Sequence, residues 1–502
     1  MKKIIVLILG IVLAVPLAAQ NVLDLKKPYL VTDFNERNLE SVLEVCQKGG
    51  FEYLLVRTPF STCGHYQWNP EFAANDKAVA RMVQKAEAVG VHLGILVQPD
   101  AISENDLYFT SKYSKHFVRE GKVELFVDIS AEDYDLALRR TDAIKGISSM
   151  NLILVENELI SYGTIELAGD LLLLHHCTRG AYGTRKAPHT TKAEAYKIWD
   201  SPKRYVAPDE YLLDSVRMWL NHRIEATGIA FMIQEGDPGQ ELLDGSVRVR
   251  QAERWAGADG VMSHGYLGWI NFHAADKNRA ATTMEEVEWI LSKAVGFDAG
   301  YGLLIDRKAI KEYGQLDEIL QKIKLWEAFR SSDVDKEQLE ALRDPYQDWR
   351  LEQDGDQFIL LRWNLSRRYQ CNFVEADSLL IGSEPWEWKA ETTGPFGLRL
   401  QVDGKEAVKN PMVNTERGLA MFPCAIKPGQ RLVYDFGDVA YLMDANYNKL
   451  EEVTIEGVAE LPEGTSEVRF YCETEKEGDR PLVTIRYITS SEMVTDTMEN
   501  HY

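Results

Sequence analysis

Short apolar runs alternate with helix-like segments along the first two thirds of the chain. The runs are almost wholly apolar, as in parallel strands whose two faces are both covered. This alternation predicts βα units that form a parallel sheet. Six strands of this kind can be read, at residues 29–34, 53–60, 92–100, 260–269 and 301–306 and at the apolar start of "FMIQEGDPG" (231–239). Helical patterns lie after Asn35 and near residues 75–89, 208–226 and 316–329.

The strand and helix order predicts a (β/α)8-type barrel rather than a doubly wound sheet. A doubly wound nucleotide-binding sheet would carry a Gly-rich phosphate loop, and no strand here is followed by GxGxxG. A barrel needs eight strands, so two are weak in the pattern or the barrel is incomplete.

Two stretches depart from the βα rhythm. Residues 103–205 consist of strand-rich hairpins, which predicts a β-insertion after the third barrel strand. Past residue 350 the chain alternates short strands such as "QFILLRW" and "RLVYDFG", which predicts an antiparallel β-sandwich as an accessory domain. The predicted organisation is a signal peptide at 1–19, a barrel domain at 20–345 and a sandwich at 350–502, with the acidic run near 331–347 as a linker.

The N-terminal segment "MKKIIVLILGIVLAVPLAAQ" has two lysines, an apolar run and a small-residue end. This is the pattern of a secretory signal peptide, and no Cys follows the apolar run to indicate a lipid anchor. No later segment reaches the ~18 apolar residues that cross a bilayer. We therefore expect a periplasmic or extracellular protein, with its six scattered cysteines mostly buried as thiols and one or two bridges permitted.

Net charge and ligand spacing exclude several classes of function. The formal charge of −22 argues against binding to nucleic acid or to an anionic membrane. A local basic patch could still hold an anionic sugar. No Cys, His, Asp or Glu cluster has the spacing of a metal site, so we expect neither a metal nor another cofactor.

Working residues in parallel βα folds lie at the carboxyl ends of the strands. The competing interpretation is that each such residue caps the next helix or closes a loop, and it is favoured for Asp33 and Asp306. For Glu235 and Asp237 a functional role is favoured, because two carboxylates beside Gly236 need a special turn. The other strand-end candidates are Arg57, Asp100 and His264.

Two further segments carry candidate binding residues. The loop "FSTCGHYQWNP" (60–70) places His65, Tyr66 and Trp68 where aromatic rings could pack on sugar rings or cover the barrel rim. The segment "HHCTRGAYGTRKAPHTTK" (175–192) could hold a carboxylate or sulfate, but its glycines favour a structural turn with Glu158 and Tyr162 as cross-strand partners.

Several of these stretches together resemble a family of secreted glycoside-hydrolase-like barrel proteins from polysaccharide-degrading bacteria. The resemblance spans roughly residues 30–330, and the sandwich resembles the family's accessory domain. The matching pieces, in the family's order, are "GHYQWNP" (64–70), "GVHLGILVQPDAISENDLYF" (90–109), "NELISY" (157–162), "CTRGAYGTRKAPH" (177–189), "APDEYLLDSVRMWLNHRIEATG" (207–228) and "GDPG" with its lead-in.

The chain departs from the family at its catalytic strand. The family ends that strand in Phe-Asp-Gly-x-Glu, whereas here Glu235 stands at the Asp position and Pro238 at the Glu position. Leu96 replaces a usual His on the third strand, and the family's run of His and Trp after Ser263 is reduced to "HGYLGWINFHAADKNR". The fold therefore carries over well, and the catalytic apparatus carries over in part.

These observations predict an exported enzyme that hydrolyses glycosidic bonds of a neutral or anionic poly- or oligosaccharide. Glu235 would be the nucleophile or base, and Asp237, Asp100 or His264 would assist as the acid. The expected substrate-binding residues are Arg57, His65, Tyr66, Trp68 and Trp269. Two alternatives remain: a glycan-binding relative that has lost catalysis, and a polysaccharide lyase in which Arg57 neutralises a uronate.

Overall fold

The computed structural model describes residues 26–233, 266–374, 379–476 and 479–492. The chain divides into two compact units. The described part of the first unit comprises residues 33–43 and 53–233. The second unit comprises residues 26–32, 44–52 and the described residues from 266 onward.

The first unit contains a parallel ladder of three barrel strands. β2 (Tyr53–Val56) and β13 (Ala230–Ile233) pair in parallel with the two sides of β3 (His92–Val97). The spatial order β2, β3, β13 is therefore the order in which these barrel strands occur in the chain. In the register of this ladder Ile233 stands opposite Val97, so β13 and β3 end at the same level.

The second unit contains the other three strands, again in parallel. β15 (Gly300–Ile305) pairs on one side with β14 (Tyr266–Phe272) and on the other with β1 (Tyr29–Thr32). The first strand of the chain thus lies beside the last βα strand, which is the pairing that closes a barrel. The fold is therefore of the (β/α)8-barrel type, as the sequence predicts.

Helices follow the strands, and local sequence sets their ends. The Asn75 and Asp209 side chains accept hydrogen bonds from backbone N–H groups at the starts of two helices, and Thr283 and Glu286 form a capping box at a third. The α-helices of the described residues are α1 (Leu39–Gly49), α2 (Asp76–Glu87), α3 (Glu210–Thr227), α4 (Met284–Phe297), α5 (Arg307–Glu312), α6 (Leu316–Arg330) and α7 (Lys336–Arg343). The last of these lies in the segment predicted as a linker, where Asp335 caps its first turn.

A β-rich insertion follows the third barrel strand and has its own apolar core. Its first and last strands pair with each other, so the insertion is closed at its base. Its strands are β4 (Ile102–Ser103), β5 (Arg119–Val123), β6 (Leu136–Arg139), β7 (Leu152–Val155), β8 (Glu158–Ser161), β9 (Thr164–Ala168), β10 (Leu171–His175), β11 (Ala195–Ile198) and β12 (Tyr205–Val206).

The C-terminal region is an antiparallel β-sandwich of an eight-stranded and a seven-stranded sheet. Alternate residues of its strands point into one apolar core, as expected for two packed sheets. The eight-stranded sheet contains β16 (Asp348–Asp354), β17 (Gln357–Leu365), β18 (Tyr369–Gln370), β21 (Gly397–Asp403), β25 (Arg431–Tyr434), β26 (Val439–Met443), β27 (Lys449–Thr454) and β30 (Leu482–Glu492). The other contains β19 (Leu380–Gly382), β20 (Trp386–Ala390), β22 (Val408–Thr415), β23 (Gly418–Met421), β24 (Ala425–Ile426), β28 (Glu456–Val458) and β29 (Gly464–Glu473).

The six cysteines are all unpaired thiols, so neither of the permitted bridges is formed. Five of them are buried and Cys63 is half-buried. Among the described helices, none combines the length and the apolar character needed to cross a membrane.

Candidate functional site

The loop that follows β2 carries three of the predicted binding residues. Its two sides are tied together, because Phe60 and Trp68 form an antiparallel bridge and the Ser61 N–H donates to the Gln67 carbonyl at 2.8 Å. The segment after β3 holds the loop in place, since the Ser103 N–H donates to the Cys63 carbonyl at 3.1 Å. The loop is therefore an ordered structure at the carboxyl ends of two neighbouring strands.

His65 is the central side chain of this loop. Its Nδ1 lies 2.7 Å from Asp106 Oδ1, and its backbone N–H donates to Asp106 Oδ2 at 2.8 Å. The rings of Tyr108 and Trp219 flank the imidazole, with centroids 4.1 and 5.3 Å away. These contacts fix both the position and the orientation of the ring.

The carboxylate of Asp106 also determines the hydrogen-bonding state of His65. Asp106 has a fully buried side chain, and a carboxylate only accepts, so Nδ1 carries the hydrogen. In the neutral ring Nε2 is then an acceptor, and among the described residues it has no hydrogen-bond partner. The side chain is 18% exposed. His65 can therefore accept a hydrogen bond or a proton from a ligand hydroxyl.

Gly64 explains why a glycine precedes this histidine. Its φ of 115° lies in a region that residues with a side chain rarely adopt. A Cβ atom built there would lie 2.7 Å from Oδ1 of Asp106. The absence of a side chain at this position is what lets the carboxylate reach His65.

Tyr66 lies under the loop rather than on its surface. It is fully buried, and its hydroxyl donates to the Gln98 carbonyl, directly after β3, at 2.6 Å. Burial raises the pKa of Tyr66 well above its usual range, so the phenol stays protonated and remains a donor. In this structure Tyr66 ties the loop to the end of β3.

Trp68 belongs to a small aromatic cluster. Its ring stacks on Phe60 with centroids 4.8 Å apart and meets Phe72 edge to face. Its indole N–H donates to Asp76 at 2.6 Å, and the guanidinium of Arg223 holds the same carboxylate. Only 8% of Trp68 is exposed, so the cluster packs the underside of the loop.

Polar side chains line the same strand ends. Arg57 and Asp100 are exposed, directly after β2 and shortly after β3. The Asp33 carboxylate accepts a hydrogen bond from the Thr58 hydroxyl at 2.8 Å, so its observed contact joins two loop residues of the first unit and is not a helix cap. Asp306 does act as a cap, because its carboxylate accepts the Ala309 N–H at 2.6 Å.

Three predicted catalytic residues, Glu235, Asp237 and His264, lie outside the described residues. The last described residue before Glu235 is Ile233, which ends β13 beside Val97 of β3. Trp269 lies in the second unit on β14. It is buried, and its N–H donates to the Tyr29 hydroxyl at 2.8 Å. The substrate-binding role of Trp269 stays a prediction.

The basic segment 175–192 is a structural turn in the insertion. Nε and a terminal nitrogen of Arg179 each donate to Glu158 at 2.9 Å, and the guanidinium also donates to the carbonyls of Ser130 and Ala187. His189 Nε2 lies 2.7 Å from the same carboxylate. Glu158 is thus the cross-strand partner that the sequence predicts for this turn, and Arg179 has no free donor edge for an anion.

The electrostatics of this turn follow from its hydrogen bonds. Burial alone would raise the pKa of Glu158, but His189, Arg179 and the N–H groups of Ala187 and Gly180 lower it to about 2. For His189, burial opposes protonation, yet the carboxylates of Glu158 and Glu156 raise the pKa above its ordinary value. The turn therefore holds a buried charged network.

Asp106 is the functional candidate that the sequence interpretation missed. It lies six residues after Asp100 in "DAISENDLYF", a stretch in which the sequence pattern marks Asp100 as the strand-end candidate. An acid 41 residues from His65 has no spacing that would mark it as a partner. Among the described residues, no group of His, Cys, Asp and Glu side chains is placed to hold a metal ion.

No protein-family model and no curated protein matches the sequence. Solved structures that align with the chain include a maltogenic alpha-amylase, AmyB, from Thermotoga neapolitana, with a TM-score of 0.34, 9% identity, and coverage of 94% of this chain and 100% of that chain. The isomaltulose synthase of Klebsiella sp. LX3 aligns with a TM-score of 0.30, 8% identity, and coverage of 89% and 98%.

The GH36 alpha-galactosidase AgaA from Geobacillus stearothermophilus aligns with a TM-score of 0.30 and 10% identity, over 89% of this chain and 55% of that one. This chain thus spans about half the length of AgaA. TM-scores and sequence identities as low as these support no conclusion about the substrate or the catalytic residues.

Proposed function

We propose that the protein is an exported carbohydrate-active enzyme that hydrolyses glycosidic bonds. The observation that supports this most directly is His65, whose ring is oriented by a buried carboxylate while Nε2 is left without a partner in the described structure. The loop that holds it lies at the carboxyl ends of β2 and β3, where barrel enzymes bind their substrates. His65 would accept a hydrogen bond from a sugar hydroxyl, and the exposed Arg57 and Asp100 would contact the same ligand.

The proposal assigns the chemistry to carboxylates at this edge of the barrel. Glycoside hydrolysis needs one carboxylate as nucleophile or base and a second group as acid, at about 5–5.5 Å for retention or about 6.5–9.5 Å for inversion. We assign the first role to Glu235, which follows β13 by two residues, and the second to Asp237, Asp100 or His264. The register of the two strands supports this choice, because Ile233, the last described residue of β13, stands opposite Val97 at the end of β3.

One observation favours a second candidate, a polysaccharide lyase. Arg57 is exposed at a strand end and forms no salt bridge with an acid among the described residues. An unpaired guanidinium can bind a carboxylate in a bidentate manner, as neutralisation of a uronate requires. In that reaction a base such as His65 would remove the proton next to the carboxylate. A C=C bond would form as the bond to the glycosidic oxygen breaks, and that oxygen would leave after taking up a proton.

Product analysis distinguishes the candidates. The mature protein is incubated with plant, algal and host polysaccharides, and the products are examined by mass spectrometry and by near-ultraviolet absorbance. Hydrolysis gives saturated ends with an added water, a lyase gives unsaturated ends that absorb, and a glycan-binding protein gives neither product while still retaining the polysaccharide.

The matched variants are Glu235→Gln and Asp306→Asn. Glu235→Gln keeps shape but removes the charge, so we expect turnover to fall by about 10³-fold while binding survives. Asp306→Asn changes another strand-end carboxylate whose observed contact is a helix cap, and Asn is an equally good cap, so turnover should be retained. Full activity of Glu235→Gln would contradict the assignment.

A further inference from the structure

A cavity of about 330 Å³ lies in the second unit, between barrel helices and the sandwich. One wall consists of Met284 and Glu285 at the start of α4 and of residues on α6. The opposite wall comes from the sandwich strands β16, β17, β21 and β25 and the residues just after them. A volume at the lower end of the range for ligand sites fits a small molecule.

The charges in this cavity neutralise one another. Arg399 lies 2.7 Å from both Glu285 and Asp435, and Arg350 approaches Asp435 at 3.4 Å. Arg399 also donates two hydrogen bonds to backbone carbonyls, each at 3.1 Å. With Lys322 and Glu318 included, three basic and three acidic side chains line the space. The lining therefore offers no net attraction for an ion.

Other polar groups of the lining have no partner among the described residues. Trp363 is 95% buried, since its exposed fraction is 5%, yet its indole N–H donates to nothing. Leaving a buried N–H unpaired is unfavourable, so an acceptor on a molecule bound in the adjoining cavity would stabilise this donor. Glu318 and Gln321 on α6, and Gln315 at its N-cap, follow one another at intervals of three residues and line the same space.

We propose that this cavity binds a neutral mono- or disaccharide, at a site separate from the one at the strand ends. Planar amide and carboxylate groups and the indole N–H match the paired donors and acceptors of sugar hydroxyls. Met284, Leu325 and Val433 provide apolar surface for the C–H groups of a sugar ring. The balanced charges select an uncharged polyol over a phosphate or a uronate. The proposal does not depend on hydrolysis.

Binding is tested on the full mature chain with glucose, galactose, mannose, xylose, maltose, cellobiose and lactose. Titration calorimetry gives affinity, and hydrogen exchange locates the ligand on the chain. We expect at least one saccharide to bind with a dissociation constant below about 10 mM. It should slow amide exchange in residues 315–325, and the same protection should appear in Glu235→Gln.

Two double variants make the result specific to this cavity. Glu318→Ala/Gln321→Ala removes two lining groups from α6 and should weaken binding at least tenfold. Glu337→Ala/Gln338→Ala makes the same changes on α7, outside the lining, and should leave affinity unchanged. Trp363→Phe removes the indole N–H and should also weaken binding. Failure of every saccharide to protect residues 315–325, or wild-type affinity in the α6 variant, would overturn the proposal.

Discussion

Two histidines in the first unit each contact a buried carboxylate, and they differ in what remains free. His189 has carboxylates at both ring nitrogens, Glu156 at 2.9 Å and Glu158 at 2.7 Å, and its side chain is 2% exposed. Among the described residues, His65 has a carboxylate at Nδ1 and no partner at Nε2. A fully satisfied buried histidine stabilises its surroundings, whereas one with a free nitrogen can act on a ligand.

The comparison also separates two motifs that look alike in the sequence. Both the "GHY" loop and the "RGAYGT" turn combine glycine, a basic or imidazole side chain and tyrosine. In the turn, Arg179 donates to Glu158 and to two backbone carbonyls and its side chain is fully buried, so it offers no exposed edge to an external anion. In the loop, Asp106 contacts Nδ1 of His65 and orients the imidazole ring. The two motifs therefore differ in how many of their polar groups form hydrogen bonds within the protein.

The largest expected effect is on the turn. Arg179→Met leaves Glu158 buried without its bidentate partner, so we expect the insertion to lose about 3–5 kcal/mol of stability. Hydrogen exchange of β7, β8 and β10 measures this local loss. Arg185→Met, on the exposed side of the same turn, is the control and should cost less than about 0.5 kcal/mol. Equal losses of stability in Arg179→Met and Arg185→Met would contradict this prediction.

A smaller effect is expected from Gly64→Ala. The added methyl group meets the Asp106 carboxylate and occupies a φ that alanine rarely adopts, so the cost should be about 1–3 kcal/mol. The His65–Asp106 contact should be displaced, and glycan binding should weaken with it. Gly90→Ala serves as a control for backbone strain, because its φ is 76° but a Cβ there meets no atom within 4 Å. Unchanged binding in Gly64→Ala would show that His65 does not need Asp106.

Tyr66→Phe should cost about 1 kcal/mol, since it removes a single hydrogen bond and leaves the Gln98 carbonyl to find another donor. Thermal unfolding measures this loss. The aromatic ring stays in place, so His65 should keep its position and glycan affinity should fall only slightly. A loss of affinity as large as that of a His65→Gln variant would mean that the phenol itself contacts the ligand.

A further expected effect is a dependence of the insertion's stability on pH. His189 has a pKa raised above 6.5, so its stabilisation is complete below pH 6.5 and is lost as the pH rises through the folded-state value. Glu158, with a pKa lowered to about 2 from 4.5, contributes fully above pH 4.5 and loses its contribution towards pH 2. Exchange protection of the insertion should therefore be greatest between pH 4.5 and 6.5. His189→Gln should remove the alkaline decline, and an unchanged decline would contradict this origin.

The sequence determined the barrel type, the insertion and the sandwich, because hydrophobic periodicity is local and each element shows it. It also identified Glu158 as the partner of the basic turn, since the two lie on adjoining strands. The same six barrel strands that the pattern predicts are the ones described, with the helix α7 as an addition in a short polar segment whose cap, Asp335, is a weak signal by itself.

Only the tertiary structure decided which polar residues are buried and which of them are paired. Tyr66 and Trp68 look like binding residues in the sequence, yet both are buried beneath the loop, while Asp106 carries no signal and holds His65 in place. The balanced cavity beside Trp363 likewise joins residues more than a hundred positions apart. Burial and pairing of this kind depend on contacts between distant segments, and a local pattern of residue types does not encode them.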